Sequence, residues 1–284
     1  MKFKYLHHHM GLGDHFCLNG LVHELIQRWS LDKLYLFCWQ HNLSTLQKLY
    51  KNTSVDLIPI SGHSDEQKHI DLFLKQKGIS KTHNGDVDWG TGNSGSYFQL
   101  GFNWMETKCH KQISQNVSCD QCFYLQANVP YEYRFDKFSY QRDIQFEQKI
   151  LQELNPNKEE YIFVAIDDKD RGMIAPSRKC ILDNGIKIIE NPKQYSVLDL
   201  GLLLENAKEL HLMESSIRCM LEANIFDISK PKLYLHAWRG SIWGNNSVHS
   251  WNLIWQDCSQ QYYDRKYPMY TGQNGTFSDK GFLL

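Results

Sequence analysis

Apolar positions in the first eighty residues follow two alternating rhythms. KFKYLHHHM (2–10), KLYLFCW (33–39) and VDLIPI (55–60) are short apolar runs of strand length. Between the first two, Phe16, Leu18, Leu21, Val22, Leu25, Ile26 and Trp29 recur at the spacing of one helix face across residues 15–30. HNLSTLQKLYKN (41–52) predicts a second helix, with Asn42 or Ser44 as its cap, and DEQKHIDLFLKQKG (65–78) a third that closes on Gly78. A strand–helix alternation with short connections predicts a parallel, doubly wound sheet.

The rhythm breaks over residues 79–117, where KTHNGDVDWGTGNSGSY reads as an exposed loop. Residues 119–128 predict a helix, and residues 134–160 a connection that turns into one. A second alternation follows. YIFVAIDD (161–168), GIKIIEN (185–191), ELHLM (209–213) and KLYLHAW (232–238) read as strands, and residues 197–208 and 214–226 as helices. The expected organisation is therefore α/β with two domains, residues 1–135 and 136–240, and a tail at 241–284 rich in Trp, Tyr, Asn and Gly. The pattern assigns no elements to that tail.

Composition narrows the class. The 284 residues are 42% hydrophobic, enough for packed cores. A net charge of -1 with no Lys/Arg run argues against a nucleic-acid partner, which would call for a basic patch. The N-terminus has no apolar secretory segment, and no 18-residue apolar stretch predicts a membrane span, so the expected location is cytoplasmic. In that setting the eight cysteines read as reduced thiols, and the sequons at Asn52, Asn116, Asn245 and Asn274 carry no meaning.

Candidate chemistry lies where predicted strands end. Ligands of a parallel sheet gather at its carboxyl edge. There the first strand runs into Gly11-Leu12-Gly13-Asp14, whose glycines permit tight backbone geometry and close ligand approach. Asp14 is either a helix cap or a functional carboxylate. In the second half, strand ELHLM ends in Glu214-Ser215-Ser216 and a helix follows at once. Its hydroxyls either cap that helix or cradle a diphosphate. The loop after YIFVAIDD supplies Lys169 and Arg171 as further anion ligands, and Arg239 follows the last predicted strand.

Two αβ halves, a Gly-Leu-Gly-Asp turn after the first strand and a strand-Glu-Ser-Ser-helix unit in the second half resemble a GT-B glycosyltransferase of the heptosyltransferase type. FYLQANVPYEYRFDKFSYQRD and IFVAIDDKDRG are also similar to a group of small microbial and large-virus sugar transferases. The usual Asp-Ser-Gly of the second motif is Glu-Ser-Ser here. The resemblance implies two Rossmann-like domains facing across a cleft, with the acceptor on the first and a nucleotide sugar on the second. It implies inverting, metal-independent transfer of a hexosyl or pentosyl group to a glycan hydroxyl, with no cofactor and with a UDP-sugar as first choice of donor. Asp14 would be the base, and Lys169, Arg171, Ser215 and Ser216 would hold the diphosphate. Glu214 would meet ribose or sugar, and Gly11, Gly13, His15, Asp88, Trp89 and Arg239 would line the acceptor side or cleft. The tail would cross back to the first domain.

Rival readings remain. Asp86-Val87-Asp88 mimics the DxD metal motif of GT-A enzymes, although no apolar strand precedes it. Cys119-x-x-Cys122, near Cys109 and His110, has the spacing of half a zinc site, but a second CxxC or HxxxH half is missing. His7 and His9 share one strand face while His8 takes the other, so the three cannot ligate one metal. A non-catalytic nucleotide- or glycan-binding module is the alternative to an enzyme. The absence of GxxxxGK[ST] argues against P-loop chemistry.

Overall fold

A computed structural model describes residues 1–61, 65–81, 88–93, 95–101, 119–167, 181, 185–237 and 247–255. The chain divides into two compact units, Met1–Gln141 and Arg142–Leu284, a few residues beyond the boundary expected from the sequence.

The first unit contains β1 (Phe3–His7), α1 (Leu12–Arg28), β2 (Lys33–Trp39), α2 (Leu43–Leu49), β3 (Val55–Ile60), α3 (Glu66–Gln76), β4 (Tyr97–Gln99), α4 (Cys119–Gln126) and α5 (Tyr133–Asp136). Its strands are all parallel, in the order β3-β2-β1-β4. The apolar stripe read from the sequence faces inward: Phe16, Leu18, Leu21, Val22, Leu25 and Trp29 are buried. On one side of the sheet, Tyr5, Phe37 and Tyr97 pack with Ile70 and Leu74 of α3. The strand β4, inside the stretch read as loop, was not expected. It pairs with β1 from Tyr5↔Tyr97 to His7↔Gln99.

α1 packs against α4 and α5. The approach to α5 is so close that a Cβ on Gly20 would lie 1.9 Å from the Tyr133 carbonyl oxygen. Gly20→Ala must therefore push two backbones apart. It should cost about 1–3 kcal/mol of stability or more, despite the better helix propensity of alanine. Urea denaturation would check this, and an unchanged midpoint would refute it.

The second unit contains α6 (Ile144–Leu154), β5 (Tyr161–Ala165), β6 (Lys187–Glu190), α7 (Gly201–Glu205), β7 (Glu209–Met213), α8 (Ser216–Leu221), β8 (Lys232–Ala237) and β9 (Asn252–Trp255). Its sheet is also parallel, in the order β6-β5-β7-β8-β9. At the unit boundary the Arg142 guanidinium donates to Glu147 at 2.6 and 2.9 Å and to Glu205 at 2.6 and 3.0 Å. These bonds tie the first residue of the unit to α6 and α7. The tail, unassigned from sequence, contributes β9. Glu222, 1% exposed, fixes its approach. Its carboxylate accepts from Ser247 Oγ at 2.6 Å, Val248 N at 3.0 Å and Trp251 Nε1 at 3.0 Å.

Cys17, Cys38 and Cys219 are free thiols, as expected. Cys122 corrects that reading: it is disulfide-bonded. A sulfur committed to a disulfide is not a zinc ligand, so the half-site reading of Cys119-x-x-Cys122 falls with it. Among the described residues, no helix is long and apolar enough to cross a membrane.

Candidate functional site

Each sheet has a point where its strand order reverses, and the carboxyl ends beside that point form the natural crevice of an open α/β sheet. In the first unit the reversal lies between β1 and β4, and in the second between β5 and β7. Both motifs singled out from the sequence lie at these places.

In the first unit β1 leads into the turn before α1. The helix cap is Gly11, in extended conformation at φ -62 and ψ 145, with no side-chain capping bond. Asp14 is therefore not the cap. It lies in the first helical turn, where a negative charge is favoured by the free N–H groups. Its carboxylate folds back over Gly11, so that a Cβ at position 11 would sit 2.6 Å from Asp14 Oδ2. The glycine makes room for the acid. Gly13 follows at the second helical position, and Gly11, Gly13 and Asp14 all keep partial solvent access.

His15 corrects its expected role. It is fully buried, and its ring packs edge-on against His8, with centroids 4.4 Å apart. Burial holds its pKa well below the usual histidine value. Neither of its ring nitrogens has a hydrogen-bond partner among the described residues. His15 is a core residue beneath the turn and does not reach an acceptor. His7 is equally buried: Tyr97 lies 3.0 Å from its Nδ1, and Glu66 Oε1 2.7 Å from its Nε2. This bridge ties β1 to β4 and α3.

Asp88 and Trp89 are not brought to Asp14. Asp88 closes its own loop, accepting from Gly90 N at 2.9 Å, Thr91 N at 3.1 Å and the Thr91 hydroxyl. The Thr91 hydroxyl and these N–H groups hold its carboxyl below the usual range. Trp89 is buried against Trp29 and Phe98, and its carbonyl accepts from Trp29 Nε1 at 3.2 Å and Arg28 at 3.3 Å. Both residues are thus anchored at the far end of α1, roughly 20 Å along the helix from Asp14. Asp86, the other half of the DxD reading, lies outside the described residues, as do Cys109 and His110.

In the second unit, a cavity of about 130 Å³ opens at the reversal point. Ala165, Ile166 and Asp167 from the end of β5 line it, with Glu190 at the end of β6, Asn191 and Lys193 just after it, and Ser215 and Ser216 after β7. Ser215 is the N-cap residue of α8, extended at φ -140 and ψ 174, yet its side chain makes no capping bond. Its Oγ is buried and has no partner among the described residues. A buried hydroxyl left without a protein partner costs about 1–3 kcal/mol, so an arriving acceptor oxygen would recover that loss. Glu214 is buried and does not line this cavity; Asp167 and Glu190 are the acids that do. Lys169, Arg171 and Arg239 lie outside the described residues.

Glu190, Asn191 and Lys193 were missed from sequence. Their only local signal is an acid at the end of a strand, and it acquires meaning once β6 is known to neighbour β5. Among the described residues, no group of three or more His, Cys, Asp or Glu is placed to hold a metal ion.

No protein-family model matches the sequence, and no curated protein matches it either. Solved structures do resemble it. One is the glycosyl transferase family 9 protein from Veillonella parvula, 10% identical over 93% of this chain and 88% of that one, with TM-score 0.51. The Escherichia coli ADP-heptose LPS heptosyltransferase II aligns over 92% of this chain and 96% of its own, at 10% identity and TM-score 0.47. The E. coli heptosyltransferase WaaC with ADP aligns over 96% and 100%, at 10% identity and TM-score 0.44. The likeness to the Veillonella structure, together with the two parallel sheets, shows the fold: this chain is an α/β protein of the GT-B type, built from two Rossmann-like units.

Proposed function

We propose that the protein is an inverting glycosyltransferase that works without a bound metal, moving a sugar from a nucleotide-sugar donor to a hydroxyl of a glycan acceptor. The observation that carries this reading is the buried Ser215 hydroxyl, without a partner among the described residues, on the wall of a cavity at the second sheet's reversal point. A hydroxyl so placed suits a phosphate oxygen of the donor, and Ser216 and Lys193 add a second hydroxyl and a cation on the same wall. Glu190 would accept from ribose hydroxyls. Lys169 and Arg171, which follow β5 in the sequence, would supply the further positive charge that a leaving diphosphate needs.

The first unit supplies the complementary chemistry. Asp14 is a partly exposed carboxylate at the carboxyl edge, placed on a helix start by a glycine that leaves it room. It would take the proton from the acceptor hydroxyl as that oxygen attacks the anomeric carbon and the nucleoside diphosphate leaves. Arg239, which follows β8 in the sequence, would assist on the acceptor side.

A thermal-shift screen of UDP-, GDP-, ADP- and dTDP-sugars, with and without EDTA, tests the reading; UDP-sugars head the panel. A true donor at a hundredfold excess over its Kd should stabilise by about 2.7 kcal/mol, and EDTA should not change that. Ser215→Val should abolish the shift. A shift that requires Mn²⁺ would return the Asp86/Asp88 reading. Binding without any transfer or hydrolysis would favour the non-catalytic module.

A further inference from the structure

The second unit has a larger cavity at its opposite edge, about 590 Å³ in volume and within the usual range for small-molecule sites. It lies where β5, β7 and β8 begin, beside the C-terminal part of α6. Four lysines line it: Lys158, Lys208, Lys230 and Lys232. The two carboxylates on the wall are already engaged, Glu160 by Lys208 at 3.0 Å and Glu159 by Lys187 at 3.3 Å. Lys158, Lys230 and Lys232 have no carboxylate partner among the described residues. Lysines often follow helices because they offset the negative C-terminal end. That accounts for Lys158, after α6, and Lys208, after α7. It does not account for Lys230 and Lys232, which enter β8 from a loop.

We propose that this cavity binds a multiply charged phosphorylated anion, at a site separate from the donor cavity. Ammonium groups on flexible stems converge on such a ligand as mobile point charges. The same chemistry is offered by a free oligophosphate and by a phosphate headgroup on a lipid.

Isothermal titration of the full chain with inorganic tripolyphosphate, near physiological salt, provides the test. Saturable one-to-one binding is expected, weakened about tenfold or more in Lys230→Gln/Lys232→Gln. The double variant should keep its melting temperature, and Ser215→Val should bind tripolyphosphate like the parent. Unsaturable heats, equal affinity in the double variant, or loss of binding in Ser215→Val would each overturn the proposal. Sedimentation with phosphatidic acid vesicles separates the sources. Vesicle binding that tripolyphosphate displaces supports the cavity. Vesicle binding that it leaves untouched points to a flat surface contact and overturns the cavity. Loss of binding in Ser215→Val would place tripolyphosphate in the donor cavity and overturn only this proposal, whereas equal affinity in the double variant leaves nucleotide-sugar binding at the other edge untouched, so the two readings fail separately.

Discussion

Asp14→Asn should lower sugar transfer by about 10²–10⁴-fold, the usual worth of a positioned general base. The melting temperature and the nucleotide-sugar shift should stay close to those of the parent. The Asp14 carboxylate lies in the first turn of α1. It is not the helix cap, a position held by Gly11. As an acid in the first turn of α1 it contributes about 0.3–1 kcal/mol through the helix dipole, part of which an isosteric amide retains. Asparagine keeps the shape over Gly11 but takes no proton at neutral pH. Single-turnover transfer with a saturating donor separates the roles. A loss in the chemical step at unchanged donor affinity assigns the base, whereas near-parental turnover would leave Asp14 a helix-start acid and remove the mechanism. Gly11→Ala should have a related effect, because its methyl would displace the carboxylate.

Acid should unfold the protein well before carboxylates titrate. Burial lowers the pKa of His8 and of His236 to about 3, and pushes His15 well below its usual value. His7 and His211 are lowered more modestly, since Glu66 and Glu209 partly oppose the burial effect. An unfolded histidine titrates near 6.5. Below that pH the unfolded chain binds protons that the folded chain refuses. The stabilisation is therefore complete above pH 6.5 and is lost as pH falls from there towards about 3. Each imidazole that stays neutral removes about 1.4 kcal/mol per pH unit. His8 belongs to the first unit and His236 to the second, so both units are exposed to the loss. Two pH units would consume several kcal/mol from a total of about 5–15. Denaturation midpoints measured between pH 7.5 and 4.5 should fall steeply below 6.5. A flat profile across that range would show that these rings find solvent.

The paired strand–helix rhythm was legible because burial on one helix face or in one parallel strand leaves a periodic mark. The stripe from Phe16 to Trp29 is the clearest case. Strand β4 was not legible: three residues are too short for a period, and its place beside β1 comes from the sheet. β9 was hidden for the same reason in a tail rich in polar and aromatic residues. Asp14 and Ser215 were legible because each follows its strand directly, and a parallel sheet puts such junctions at its carboxyl edge. Asp88 and Trp89 looked like site residues by chemistry alone. Their real partners, Thr91, Trp29 and Phe98, are contacts of the folded loop. The sequence also marked His15 as polar and adjacent to the key acid, but helical geometry turns the next residue inward.

The position of β9 at the outer end of the second sheet, with Glu222 fastening its approach, has a consequence during synthesis. The first sheet has all its described strands once residue 99 has left the ribosome, whereas the second must wait for residues beyond 250. Until then β8 shows a bare row of amides and carbonyls, the kind of border on which nascent chains can zip together. The interval between the synthesis of β8 and that of β9 is thus the one in which this protein is most in need of a chaperone.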